Sequence, residues 1–143
     1  SAKKNQPNPM RQVINLKGKI VQVRQIASGK AVGYGATYRA SQPSRIATVA
    51  VGYGDGYPCH LSNRGHGYLN GISLPVVGRI SMDLITFDVS SLPEDAVQPG
   101  LTIDLLNDSY TADDLAHDAE TIGYEILTNL GNRYERRYIG AIK

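Results

Sequence analysis

The sequence predicts a mainly β domain, a closed or partly closed β-barrel carrying one or two short helices. Three observations lead there. Short apolar runs with two-residue alternation recur along the chain, Gly and Pro turn signals separate them, and helical periodicity is confined to one stretch near the end. At 143 residues with 41% apolar side chains, one sizeable core is affordable and two independent domains are not expected.

The first strand begins at Val13. VINLKGKIVQV sets Val13, Asn15, Lys17, Lys19 and Val21 on one face and Ile14, Leu16 and Ile20 on the other, with Gly18 marking a bend or bulge. ASGKAVGYGATYRA reads as a glycine-rich loop whose backbone can approach another surface closely. RIATVAVGYG is the strongest strand, uncharged after Arg45 and therefore expected to be buried on both faces. DGYPCHLSNRGHG resembles an inserted loop. In YLNGISLPVVG, Asn70 and Gly71 signal a tight hairpin. DLITFDVS and GLTIDLL add strands, punctuated by Pro93 and by Pro99 with Gly100.

Helical signals begin at Thr111, which forms a capping box with Asp114. Asp113 suits the positive end of the helix, and Leu115 opens its apolar stripe. A second short helix is expected from Ile122 to Asn129, stopping at Gly131, and NRYERRYIGAI is expected as a closing strand.

Charge and cysteine content narrow the function classes. The net charge is +2, yet residues 1–30 hold seven Lys or Arg and no acid, while residues 94–132 hold at least eight acids and no Lys or Arg. Opposite signs on neighbouring surfaces of one fold, or between subunits, account for this better than steering of a polyanion. The basic segment lacks an aromatic stacking series, so an oligonucleotide-binding barrel is a minor candidate and no nucleic-acid partner is expected. A lone Cys59 excludes an intrachain disulfide and fits a reducing compartment. No apolar run reaches membrane-spanning length, and SAKKNQPNPM has no apolar segment behind its lysines. The expectation is therefore a cytoplasmic protein without a membrane partner.

Four tyrosines stand among glycines: Tyr34 in VGYGATY, Tyr53 and Tyr57 in GYGDGYP, and Tyr124 in IGYE. Such phenols are available for hydrogen bonding or proton transfer, and packing at a barrel rim is the alternative for each. Asp55 is expected to make a turn. Cys59, His60, His66 and His117 have no zinc spacing, so no metal is expected. PVVGRISMD reads as a strand turning sharply at Gly78 to deliver Arg79, Met82 and Asp83. There a backbone N–H and a guanidinium suit a carboxylate; core filling by Met82 and surface pairing by Arg79 are the alternatives.

The order and wording of VGYGATYRA, VAVGYGDGYP with LSNRG, LPVVGRISMDL and IGYEILTNLGNRY resemble the alanine racemase family, from about Asn8 to the end. The resemblance implies residues 1–11 as a linker or boundary segment and residues 12–143 as that family's C-terminal β-domain. It further implies an absent N-terminal (β/α)₈ barrel that carries pyridoxal phosphate on a lysine this chain lacks, in a head-to-tail homodimer. Tyr34 then matches the catalytic acid/base given to the opposite subunit. Tyr53 matches a residue lining the substrate and cofactor pocket, Met82 one whose backbone helps hold the substrate carboxylate, and Tyr124 a tyrosine that contacts the cofactor phosphate and forms a gate. Arg79 and Asp83 match entrance residues. The implied substrate is a small amino acid, L- or D-alanine, with D-alanine serving as a peptidoglycan precursor. A racemase of broader substrate range and a non-catalytic dimerisation module stand as alternatives. Cys59 replaces an Arg that many members have after GYP, which changes the entrance charge.

Overall fold

The computed structural model describes residues 13–32, 38–120 and 137–139. The expected second helix at 122–129 lies outside them, as do Tyr34 and Tyr124.

One long strand organises the domain. β1 (Val13–Ile26) pairs antiparallel with β9 (Arg137–Ile139) at its start, β8 (Thr102–Leu106) in its middle and β4 (Ser44–Val49) at its end. β5 (His66–Leu69) and β6 (Ile72–Pro75) extend the sheet beyond β8, and β7 (Ile85–Asp88) extends it beyond β4, giving the order β6-β5-β8-β1-β4-β7. Its two outer strands then meet at one seam. Val76, just past β6, bridges Phe87 of β7, and the Val77 amide donates to the Thr86 carbonyl at 2.9 Å. A single bridge is not a strand pair, so the sheet is a partly closed barrel rather than a closed one.

Alternation along the strands fills the interior. Leu16, Ile20, Ala47, Val49, Leu74, Ile85, Phe87, Ile103 and Leu105 are buried in one cluster. Each larger side chain stabilises the fold by roughly 1.5–3 kcal/mol relative to exposure. β4 is buried on both faces over most of its length, as its uncharged run predicts. At the hairpin between β5 and β6, Asn70 and Gly71 both have positive φ, 52° and 79°, the requirement of a type I′ turn.

Gly18 acts differently from the expected bulge. Register shifts fall on either side of it, between Leu16 and Lys17 and between Ile20 and Gln22, while Gly18 itself pairs with Ile103. A Cβ on Gly18 would stand 2.4 Å from Val49 Cγ1, so close packing explains the glycine.

Two expected loops also prove more structured. Within ASGKAVGYGATYRA, β2 (Ala31–Val32) and β3 (Tyr38–Arg39) pair antiparallel, with Val32 buried; Tyr34 falls in the link between them. DGYPCHLSNRGHG is no surface insertion, because Tyr57 and Leu61 enter the main core. Turn residues disclose where the chain bends, not which side chain points inward.

The helix α1 (Ala112–Ala119) starts as its signals predict: Thr111 Oγ1 accepts from the Asp114 amide at 3.3 Å, and Asp114 Oδ2 accepts from the Thr111 amide at 2.9 Å. Leu115, Ala116 and Ala119 bury its inner face. The segregated charges meet across the sheet, where Lys17 Nζ lies 2.7 Å from Asp104 Oδ1.

Candidate functional site

The glycine-rich segment after β4 forms a 3₁₀ turn, Tyr53–Asp55, between Gly52 and Gly56. Asp55 is turned inward and buried, and its Oδ2 accepts from the Gly52 amide at 3.0 Å, so this acid does make a turn. Tyr53 faces outward, with about half its surface exposed (48%).

A second turn, residues 81–84, lies against the first. Ser81 closes it locally: its amide donates to the Leu84 carbonyl at 3.0 Å, and its Oγ accepts from the Leu84 amide at 3.0 Å. Met82, 51% exposed, and Asp83, also exposed, stand at its tip. Two parallel backbone bonds join the turns, from the Tyr53 amide to the Ser81 carbonyl at 3.0 Å and from the Gly54 amide to the Met82 carbonyl at 2.8 Å. These engage carbonyls, not the Met82 N–H. The approach is close enough that a Cβ on Gly52 would stand 2.3 Å from the Ser81 oxygen.

The approach to this second turn is fastened by LSNRG. Gly78, at φ 83°, donates its amide to Asn63 Oδ1 at 2.6 Å, and the Ile80 amide donates to Ser62 Oγ at 2.8 Å. Exposed Arg79 is thus held between two tethered amides. The expected strand through PVVGRISMD ends sooner, β6 stopping at Pro75. Ser62 and Asn63 were not among the candidates read from sequence. Their role is tertiary capping of a segment some fifteen residues away, for which a polar pair in a loop is the only sequence trace.

Of the expected site residues, the structure brings Tyr53, Met82, Arg79 and Asp83 onto two joined segments. Tyr57 behaves otherwise. Its hydroxyl is buried and has no hydrogen-bond partner among the described residues, and burial, reinforced by the charge of Asp118, pushes its pKa above the ordinary phenol value. It is a core residue. Tyr110 donates its hydroxyl to Asp118 and packs its ring 5.3 Å from that of Tyr68, closing the cluster beneath α1.

Cys59 is exposed on a neighbouring 3₁₀ turn, Cys59–Leu61. Arg64 reaches Glu120 at 3.0 Å, which lowers the Glu120 pKa through the hydrogen bond and the guanidinium charge. Among the described residues no group of three or more His, Cys, Asp or Glu is placed to hold a metal, and no helix is long and apolar enough to cross a membrane.

Comparison with known proteins carries the identification further. The family model described as "Alanine racemase, C-terminal domain" matches residues 13–138. The alanine racemase of Rhodospirillum rubrum is 59% identical over 133 residues, covering 93% of this chain and 36% of that protein. A catabolic alanine racemase of Agrobacterium fabrum is 49% identical over 133 residues, covering 93% and 34%. The crystal structure of alanine racemase from Bartonella henselae with covalently bound pyridoxal phosphate superposes with a TM-score of 0.85 at 39% identity, covering 91% of this chain and 36% of that one. The chain thus spans about a third of the length of these relatives. Motif order, barrel architecture and these matches agree: the chain belongs to the family of alanine racemase C-terminal domains.

Proposed function

We propose that this chain serves as the C-terminal domain of a pyridoxal-phosphate-dependent alanine racemase interconverting L- and D-alanine in the cytoplasm, upstream of peptidoglycan synthesis. In this reading residues 1–11 are a boundary segment and residues 12–143 the β-domain. A (β/α)₈ barrel in the same protein carries the cofactor on its lysine, and two subunits pair head to tail so that this domain completes its partner's site.

The observation that carries the reading is the paired turn, which presents Tyr53 and Met82 outward on a backbone held from both sides. The residues present fit a surface that closes over a cofactor anchored elsewhere. Lys17 is engaged by Asp104, and Lys19 and Lys30 are exposed, so no described lysine is enclosed in a pocket where an adduct would be shielded. Tyr53 and Met82 would line the substrate side, Tyr124 would meet the cofactor phosphate, and Arg79 with Asp83 would flank the entrance, where Cys59 leaves one cation fewer than many relatives carry.

Racemisation removes the α-proton from one face of a flattening carbon and returns one to the other, so proton carriers must stand on both faces. Pyridoxal phosphate, when bound, supplies the electron sink that stabilises negative charge at that carbon. Tyr34 is assigned the face reached from L-alanine, and the barrel lysine the face reached from D-alanine. A phenol with an ordinary pKa near 10 needs positive charge or donors close by to act near neutrality. The barrel is assigned that task.

Co-expression of the chain with its barrel domain, followed by measurement of D/L-alanine exchange, tests the proposal. Tyr34→Phe is expected to slow exchange by roughly 10²–10⁴-fold, the usual worth of a general acid or base. Undiminished exchange would exclude the role. A panel including serine separates an alanine enzyme from a broader racemase, and dimerisation without exchange would favour a scaffolding module.

A further inference from the structure

The buried carboxylate of Asp55 sits beneath the one turn that presents Tyr53, and its place follows from an unusual constraint. A turn of this kind ordinarily begins with a residue such as Ser or Asp, whose side chain caps the free amides. Position 52 cannot carry one, because a Cβ there would stand 2.3 Å from the Ser81 oxygen and 2.4 Å from the Met82 oxygen. The cap comes instead from the other end. Asp55 Oδ2 accepts the Gly52 amide at 3.0 Å, while the Asp55 amide donates to the Gly52 carbonyl at 3.0 Å, closing a ring around Tyr53 and Gly54. Gly56, at φ 96°, completes the turn by donating to the Tyr53 carbonyl at 3.0 Å. A single turn of 3₁₀ helix is too short to hold itself, and a charge-assisted bond in a buried setting is the strongest fastener available to it.

We infer that Asp55 is a positioning residue for the reaction, fixing the backbone of Tyr53 and, through the Gly54 to Met82 bond, the turn that carries Met82. The inference rests on the racemase reading above. Asp55 touches no substrate in this account; it acts through the two residues proposed to do so.

The test uses the complete protein with pyridoxal phosphate bound, comparing kcat and KM for alanine in Asp55→Ala, Asp55→Asn, Tyr53→Ala and the double variant Tyr53→Ala/Asp55→Ala. Asp55→Ala is expected to lose about tenfold or more in kcat/KM, in keeping with the cost of small misplacements at a reacting centre. Asp55→Asn, whose amide oxygen still accepts from Gly52, is expected to retain more than Asp55→Ala. Removing Asp55 is expected to matter less once Tyr53 is already gone, the mark of two groups acting together. A Tyr53→Ala enzyme with unaltered kinetics would refute the racemase-site reading itself. An impaired Tyr53→Ala with an unaffected Asp55→Ala would overturn only the positioning role. A measurement independent of folding variants is amide exchange in the unmutated protein. Tyr53 and Gly54 are expected to exchange at least about a hundredfold more slowly than an open turn, and unprotected amides there would contradict the inference.

Discussion

The amide of Gly54 donates to the carbonyl of Met82 at 2.8 Å, and this bond ties together two turns that the chain reaches from different strands, β4 before one and β7 after the other. Nothing in either segment's own geometry requires the partnership. It depends on a backbone approach that only an absent side chain allows.

Gly52→Ala measures that dependence. The added methyl would face the backbone oxygens of Ser81 and Met82 at 2.3 and 2.4 Å, and backbone cannot step aside as a flexible side chain can. A loss of roughly 1–3 kcal/mol in unfolding free energy is expected, the usual cost of overpacking. Alanine turnover is also expected to fall by more than the loss of folded protein accounts for, because the turns must part. Unfolding by calorimetry and kcat/KM on the same preparation check both.

Two hairpin glycines separate packing from backbone strain. A Cβ on Gly67 would lie 2.5 Å from Ile103 Cγ2 and 2.8 Å from Phe87 Cε1, whereas nothing stands within 4 Å of one on Gly71, whose φ is 79°. Gly67→Ala should therefore cost about 1–3 kcal/mol through crowding. Gly71→Ala should cost about 1–2 kcal/mol through the left-handed backbone alone, and Gly71→Asn less. Denaturant titration of the three variants distinguishes the causes.

The buried phenols set an alkaline limit. Burial raises the pKa of Tyr57 and Tyr110 in the folded state, with the carboxylate of Asp118 adding to both and its hydrogen bond to Tyr110. A group whose folded pKa exceeds its unfolded value contributes fully below the unfolded value, near 10, and loses that contribution as pH rises toward the folded one. Stability is thus expected to fall progressively above about pH 10. Absorbance at alkaline pH should show these two phenolates emerging together with unfolding. Tyr57→Phe should flatten the pH dependence, since it removes a hydroxyl that has no hydrogen-bond partner among the described residues.

These contrasts also show what could be read from residues alone. Asn70 with Gly71, and Thr111 with Asp114, were legible because each motif satisfies its own backbone within four residues. The inward course of Tyr57 and Leu61 was not, nor was the capping of Gly78 and Ile80 by Asn63 and Ser62, since both depend on which distant segment the loop meets. Gly18 and Gly52 were visible as glycines, but the neighbour that excludes a side chain at each is a tertiary fact. For the site, Tyr53, Met82, Arg79 and Asp83 followed from family resemblance, while their joining followed only from the backbone bonds. Tyr34 and Tyr124 lie outside the described residues.

Proton exchange at the α-carbon in heavy water, with Tyr34→Phe placed in the complete cofactor-loaded protein, separates the two proton carriers proposed for the reaction. Deuterium is expected to enter D-alanine at an appreciable rate while entry into L-alanine is nearly abolished, because the substitution removes one of the two opposed proton carriers proposed. Equal loss from both enantiomers, or undiminished entry into L-alanine, would contradict that proposal.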